Sequence, residues 1–301
     1  MQETILRFFQ HISTPFLDHF FTAVTRLGEQ YFIIVVISWV YWNYSKKQGF
    51  FLSYIFLFSN LVNGLAKDIA QTKRPFQSLE GIEGKRVKTA EGFSFPSGHT
   101  QGASTLFLTL ALMLRKKIFM VLAIFLSALV ATSRIYLGVH WPVDVLGGFV
   151  FALLVSFIFY PLLNRLYGNQ EKFFSFILYS LLFFYLVLGL IMIWNTFYAE
   201  QTLEIDNYVR MTGIASGSFI FYMLQEKKYS FSNDATFWVK LLRFIPGFAG
   251  ILGIFVGLKL ILPDNELFTY VRYFLLGAWI TFIFPLIGLR LGLFKKSGVE
   301  P

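Results

Sequence analysis

Long apolar stretches recur through almost the whole of this chain, and no other feature constrains its fold as tightly. Runs of about 17 to 25 residues, enough to cross roughly 30 Å of hydrocarbon, occupy approximately residues 30–46, 50–70, 98–114, 118–136, 143–163, 173–195, 208–224, 238–262 and 268–293. A soluble protein with buried helices would need polar faces, and these runs have none. Charged residues make up only 14% of the 301 and hydrophobic ones 56%, whereas a soluble domain is roughly a quarter charged. The expectation is an all-α fold: a polytopic integral-membrane helical bundle of about nine transmembrane helices, with the lipid bilayer as its solvent.

Residues 1–28 do not read as a span. Arg7, His11, Asp18, His19 and Arg26 interrupt them, while Leu6, Phe8, Phe9, Phe16, Phe20 and Phe21 supply an apolar side. One or two amphipathic helices at the membrane interface fit that pattern, and no cleaved signal peptide is expected. Absence of cysteine excludes disulfides, thiolate catalysis and cysteine-ligated metal.

Charge gives the chain a direction. Span by span, Lys46-Lys47, Arg115-Lys116-Lys117, Arg165 with Lys172, Lys227-Lys228 and Lys295-Lys296 fall on one side, and Glu200, Glu204, Asp206, Asp264 and Glu266 on the other. The positive-inside rule makes the lysine-rich side cytoplasmic, in a cell (cytoplasmic) membrane, with the N-terminus outside and the C-terminus inside. The net charge of +9 is then a topology signal and implies no nucleic acid.

Three polar stretches interrupt the apolar pattern, all at span ends on the extracytoplasmic side. Lys67 lies in the last turns of the second run, and Arg74-Pro75 follows it. A lysine in an apolar run is costly at membrane depth unless it snorkels or functions. Pro96-Ser97-Gly98-His99 opens the third run. An ordinary helix cap has the same composition, but free N–H groups at a helix start, unobstructed at Gly98, also cradle phosphate oxygens. Ser97 can add a hydroxyl, and His99 falls in the first turn. Arg134 closes the fourth run, His140 follows, and Asp144 lies four residues beyond His140, within reach of its Nδ1–H. Such a carboxylate sets the tautomer and leaves Nε2 as a nucleophile.

Taken together, K-x6-R-P, P-S-G-H and S-R-x5-H-x3-D resemble, without departure, the signature of the type 2 phosphatidic acid phosphatase superfamily, which includes bacterial lipid phosphatases, glucose-6-phosphatase and vanadium haloperoxidases. The match runs from Lys67 to Asp144, and flanking spans extend it over about 30–196. The resemblance implies that His140 attacks phosphorus and carries a phosphohistidine, that His99 protonates the leaving oxygen, and that Asp144 orients His140. Lys67, Arg74, Ser97, Gly98 and Arg134 would hold the phosphoryl group. Three side-chain cations can neutralise its charge as Mg²⁺ does elsewhere, so neither metal nor cofactor is expected.

The segments expected are an interfacial stretch 1–28, a six-span phosphatase core 29–196, and three further helices with a cytoplasmic tail over 197–301. Gly247, Gly250, Gly253 and Gly257 read as a small-residue packing seam; Lys259, Arg210 and Arg272 lie near the active face and read as snorkelling cations, with contact to a second phosphate or headgroup as the alternative. The function expected is hydrolysis of a membrane lipid phosphate or pyrophosphate of the phosphatidate, phosphatidylglycerophosphate or polyprenyl diphosphate type. A phosphotransferase using the same phosphohistidine is the enzymatic alternative, and a transporter or lipid-binding protein the non-enzymatic one. A vanadate-dependent peroxidase fits the membrane setting poorly. Self-association into a homo-oligomer is left open by the sequence.

Overall fold

Each of the nine apolar runs is helical in the computed structural model of the chain, which describes residues 1–90, 92–198 and 203–296. Glu200, used above as a topology marker, and the tail 297–301 lie outside the described residues. In chain order the helices are α1 (Gln2–His11), α2 (Pro15–Thr25), α3 (Gln30–Asn43), α4 (Lys46–Ala70), the single turn α5 (Pro75–Ser78), α6 (Gly98–Leu114), α7 (Lys117–Tyr136), α8 (Pro142–Tyr167), α9 (Gln170–Phe197), α10 (Ile205–Lys228), α11 (Phe237–Leu252), α12 (Leu258–Ile261), α13 (Glu266–Ala278) and α14 (Phe284–Arg290). The pairs α11/α12 and α13/α14 are each continuous through a π-helical turn, at Gly253–Gly257 and Trp279–Ile283. Strands are confined, among the described residues, to an antiparallel pair of two-residue segments, β1 (Phe231–Ser232) and β2 (Lys295–Lys296).

Local chemistry explains where the helices start. Thr14, Ser97, Asn169 and Asn265 each turn a side-chain oxygen back to a first-turn N–H, satisfying a donor that the helix leaves open. Pro15 at the first position of α2 and Pro142 at that of α8 begin helices where a missing N–H does no harm.

Six stretches are long and apolar enough to cross a membrane: Lys46–Ser78, Lys117–Tyr136, Pro142–Tyr167, Gln170–Phe197, Phe237–Ile261 and Glu266–Arg290. The other three runs fall short individually. α3 has 14 residues, about 21 Å of helix, and forms with Pro15–Gly28 a pair bent by 49°. α6 has 17 residues, and α10 is long enough but carries charges at both ends. The spanning helices turn large apolar side chains outward, among them Phe125, Leu146, Leu182 and Leu186. A patch of that kind is unstable against water and at home against hydrocarbon. The chain is a multi-span membrane protein.

Packing divides the chain into two compact units, 1–34 with 55–162 and 35–54 with 163–301. In the first, α1 and α2 lie on the C-terminal end of α7. Phe9 and Phe21 flank the Tyr136 ring at 6.1 and 4.4 Å, the Tyr136 hydroxyl donates to Asp18 at 2.6 Å, and Gln10 donates to the Glu83 carbonyl at 3.0 Å.

The second unit has an aromatic interior, with Phe50 stacked on Tyr222 at 3.8 Å and Tyr54 on Phe219 at 5.2 Å. Its closest helix contact is not where the sequence suggested. A Cβ on Gly213 would lie 2.7 Å from the Tyr270 carbonyl oxygen, one on Gly217 2.0 Å from that of Phe274, and one on Gly277 2.6 Å from that of Ile214. Backbones of α10 and α13 therefore touch, as small residues permit. Gly247 and Gly250 do pack tightly, against Trp42 and Trp279, but Gly253 and Gly257 have no such neighbour within 4 Å. The seam expected along Gly247–Gly257 holds for its first half only, because the π-turn rotates the later glycines off the packed face.

Candidate active site

All eight motif residues belong to the first unit, at the helix ends where α4 and α7 stop and α6 and α8 start. Two glycines that follow Asp144 make this possible. A Cβ on Gly148 would come within 2.7 Å of the Ser97 carbonyl oxygen, and one on Gly147 within 2.4 Å of the Phe95 ring. The start of α6 thus rests directly on α8, and Ser97 N–H donates to the Asp144 carbonyl at 2.9 Å.

His140 lies in the turn between α7 and α8 and is 2% exposed. Its Nδ1 is 3.2 Å from Asp144 Oδ2, and its Nε2 is 3.1 Å from Arg74 Nη1. Arginine can only donate, so Nε2 carries the lone pair and Nδ1 the proton given to Asp144. Burial and the flanking Arg134, Arg74 and Lys67 cations push the imidazole well below its ordinary pKa. The ring is thereby held neutral, as a nucleophile must be.

Asp144 is itself held from three directions. Oδ2 accepts from the Ser94 hydroxyl at 2.5 Å, from Trp141 N–H at 2.8 Å and from His140. Ser94 is fully buried, and the sequence reading missed it. A lone serine two residues before P-S-G-H carries no local mark of its role; only the folded loop brings it under the carboxylate. Thr72 anchors that loop, accepting from Ser94 N–H and Phe95 N–H at 2.8 Å each.

The same loop wires the cations. Lys67 Nζ donates to the Phe93 carbonyl, and Arg74 donates to the carbonyls of Gly92 at 3.1 Å, Phe93 at 3.3 Å and Val139 at 2.9 Å. Arg134 is fully buried and gives one hydrogen bond, 2.9 Å, to the Thr25 hydroxyl. Its Nε and Nη2 find no partner among the described residues, and neither does His99 Nε2. Buried donors are seldom left so, which makes this corner receptive to an anion.

Ser97 is the N-cap of α6: its hydroxyl accepts from Thr100 N–H at 3.4 Å and Thr100 Oγ1 at 3.0 Å, and its own proton remains available. At Gly98 the nearest atom to an added Cβ would be Asn63 Oδ1 at 3.4 Å. Protein packing does not demand glycine there. The end of α2 was also invisible as part of the site. Besides the Thr25 bond to Arg134, Gly28 presses on His99 so closely that a Cβ would sit 2.5 Å from its carbonyl oxygen.

Beside Asp144 lies a cleft of about 410 Å³ walled by Ala70, Phe95, Trp141 and Val143. Among the described residues no three His, Asp or Glu side chains cluster as a metal site would need. The arrangement comprises an oriented neutral histidine, a second histidine at a helix start, and three cations outnumbering one carboxylate. It is suited to holding and attacking a phosphoryl group.

Comparison with known proteins agrees. The PAP2 superfamily profile matches residues 48–168, and that of the PAP2 superfamily phosphatase transmembrane extension matches 209–297. The chain is similar to phosphatidylglycerophosphatase B of Bacillus subtilis (strain 168), 32% identical over 160 residues, covering 49% of this chain and 75% of that protein. It is also similar to undecaprenyl-diphosphatase of Sulfolobus acidocaldarius, 29% identical over 143 residues, covering 47% and 68%. The crystal structure of a transmembrane PAP2-type phosphatidylglycerolphosphate phosphatase from Bacillus subtilis aligns with 55% of this chain and 85% of that one, at 29% identity and a TM-score of 0.47. This chain belongs to the PAP2 superfamily and is a membrane phosphatase.

Proposed function

We propose that the protein hydrolyses a phosphate monoester or pyrophosphate of a membrane lipid through a phosphohistidine at His140, without a metal or other cofactor. The observation that carries this reading is the His140 ring, tied to Asp144 through Nδ1 and turned toward the cations through Nε2. In the first step Nε2 forms a bond to phosphorus, the P–O bond to the lipid breaks, and His99 gives its proton to the departing oxygen. In the second, His99 takes a proton from water, the water oxygen attacks phosphorus, and inorganic phosphate leaves as Nε2 is freed. Asp144 stabilises the imidazolium character that develops in between.

Arg134, two of whose buried nitrogens have no partner among the described residues, Lys67 and Arg74 would spread the phosphoryl charge, and the α6 N-terminus at Ser97 and Gly98 would supply N–H donors. The apolar cleft beside Asp144 supports a lipid, whose tail it can shelter while the headgroup reaches His140. The relatives act, by their names, on phosphatidylglycerophosphate and undecaprenyl diphosphate, and a substrate of that class fits here. The catalytic core on this reading is 29–196, within a nine-span bundle, and the lysine-rich loops support a site on the extracytoplasmic face of the cell membrane.

Purified protein in detergent and excess chelator, given a panel of lipid phosphates, lipid diphosphates and glucose 6-phosphate, should release inorganic phosphate from the lipids. An acid-labile phosphoenzyme should be trapped during turnover and vanish in His140→Ala. Phosphate passed to a lipid acceptor without release would identify a transferase, and normal turnover by His140→Ala would overturn the mechanism.

A further inference from the structure

Two arginines of the second unit have no part in the chemistry above. Arg210 stands in the second turn of α10 and Arg272 in the second turn of α13, and the glycine contacts described earlier hold these two helices backbone to backbone. The two guanidinium carbons lie 5.9 and 5.7 Å from the centre of a single ring, that of Tyr273. Arg272 is only 9% exposed, so it does not snorkel as the sequence suggested.

Its charge is unmatched among the described residues. Among the described residues Arg272 makes neither a hydrogen bond nor an ion pair, and its Nε is buried without a partner, as is Arg210 Nε. Of the acids at the start of α10, Asp206 pairs with Arg210 Nη2 and Glu204 accepts from Asn207 at 3.0 Å, and neither pairs with Arg272. Tyr273 offers its ring at close to the 6 Å limit of a cation–π contact, at best a weak substitute for the oxygen acceptors that guanidinium N–H donors take. Arginine is retained in a buried position when something anionic completes it. A guanidinium edge matches two phosphate oxygens at once.

We propose that Arg272 and Arg210, both within 6 Å of the Tyr273 ring centre, form a second anion site that binds a phosphate group, separate from the catalytic one. Both residues stand one to two turns inside a helix start, the depth at which a phospholipid headgroup meets a membrane protein. An anionic headgroup and free phosphate share this chemistry.

The test counts bound ligands on the full-length protein in detergent, comparing wild type with Arg272→Gln, Arg272→Lys and Arg210→Gln. Native mass spectrometry is run with phosphatidylglycerol and with phosphatidylcholine, and equilibrium dialysis with radiolabelled inorganic phosphate. Wild type should hold one more anionic ligand per chain than Arg272→Gln, with the affinity of that ligand at least tenfold weaker in Arg210→Gln and partly kept in Arg272→Lys. Loss confined to phosphatidylglycerol identifies a headgroup as the source, and loss of inorganic phosphate as well identifies a free anion. Arg210, about a third exposed at its side chain, carries the comparison if Arg272→Gln does not fold. Equal ligand counts in wild type and both Gln variants, or equal retention of phosphatidylcholine, would overturn the proposal. Binding is the readout, so the result is independent of the catalytic assignment.

Discussion

Arg74 Nη1 donates to His140 Nε2 across 3.1 Å while giving its other hydrogen to the Val139 carbonyl at 2.9 Å. On the proposed mechanism this cation sits on the lone pair that attacks phosphorus, so substrate would take its place at Nε2 and the phosphoryl oxygens would be the new acceptors for the displaced N–H.

That exchange makes Arg74 sensitive to geometry as well as charge. Arg74→Lys keeps the positive charge but loses the planar fork that serves Gly92, Phe93 and Val139 together. Its kcat should fall by about 10²–10³-fold, the usual loss for removing a preorganised donor, as measured by phosphate release.

Asp144 and Ser94 should separate in effect. Asp144→Asn preserves shape but removes the charge and the tautomer control, so kcat should fall by about 10⁴-fold. Ser94→Ala removes one hydrogen bond of 2.5 Å from a carboxylate that retains two other donors, and should lower kcat far less. A Ser94→Ala loss as large as that of Asp144→Asn would contradict the hierarchy drawn from the structure.

The pH profile follows from His140. Burial and the nearby cations lower its pKa, so the neutral nucleophile survives to more acid conditions than a free imidazole would. As pH falls through the depressed pKa the ring takes a proton and the lone pair is lost. The acid limb of kcat/KM should thus lie below about 6.5, the ordinary histidine value. Arg74→Gln removes one of the depressing cations and should move that limb to higher pH.

Gly98 offers a test of the phosphate cradle. A Cβ there would meet only Asn63 Oδ1, at 3.4 Å, so Gly98→Ala should fold and melt as wild type does. If the α6 N-terminus holds the phosphoryl group, the added methyl should still raise KM or the vanadate inhibition constant by tenfold or more. Unchanged kinetics would remove Gly98 from the site.

Sidedness can be read on intact cells, since the chain has no native cysteine. Val87→Cys, at a position 43% exposed in the loop beside the site, should react with a membrane-impermeant thiol reagent. Lys116→Cys, at the opposite end of α6, should react only after permeabilisation. The reverse pattern would put the catalytic face in the cytosol.

The helices and the motif residues are local properties, and the sequence alone determined them. Apolar runs of membrane length dictate helices because hydrocarbon leaves backbone N–H and C=O groups no partner but one another, and every run is helical. The i, i+4 spacing of His140 and Asp144 likewise sets their pairing within one turn. Three features were decided by the tertiary structure. Thr25 meets Arg134 across 109 residues, Ser94 reaches Asp144 across 50, and α10 meets α13 at Gly213, Gly217 and Gly277 instead of along Gly247–Gly257. In a chain this uniformly apolar, hydrophobic periodicity does not tell one helix face from another. Which faces meet is chosen by close steric fit at a few small residues and by buried donors finding acceptors, and those depend on segments far apart in the chain.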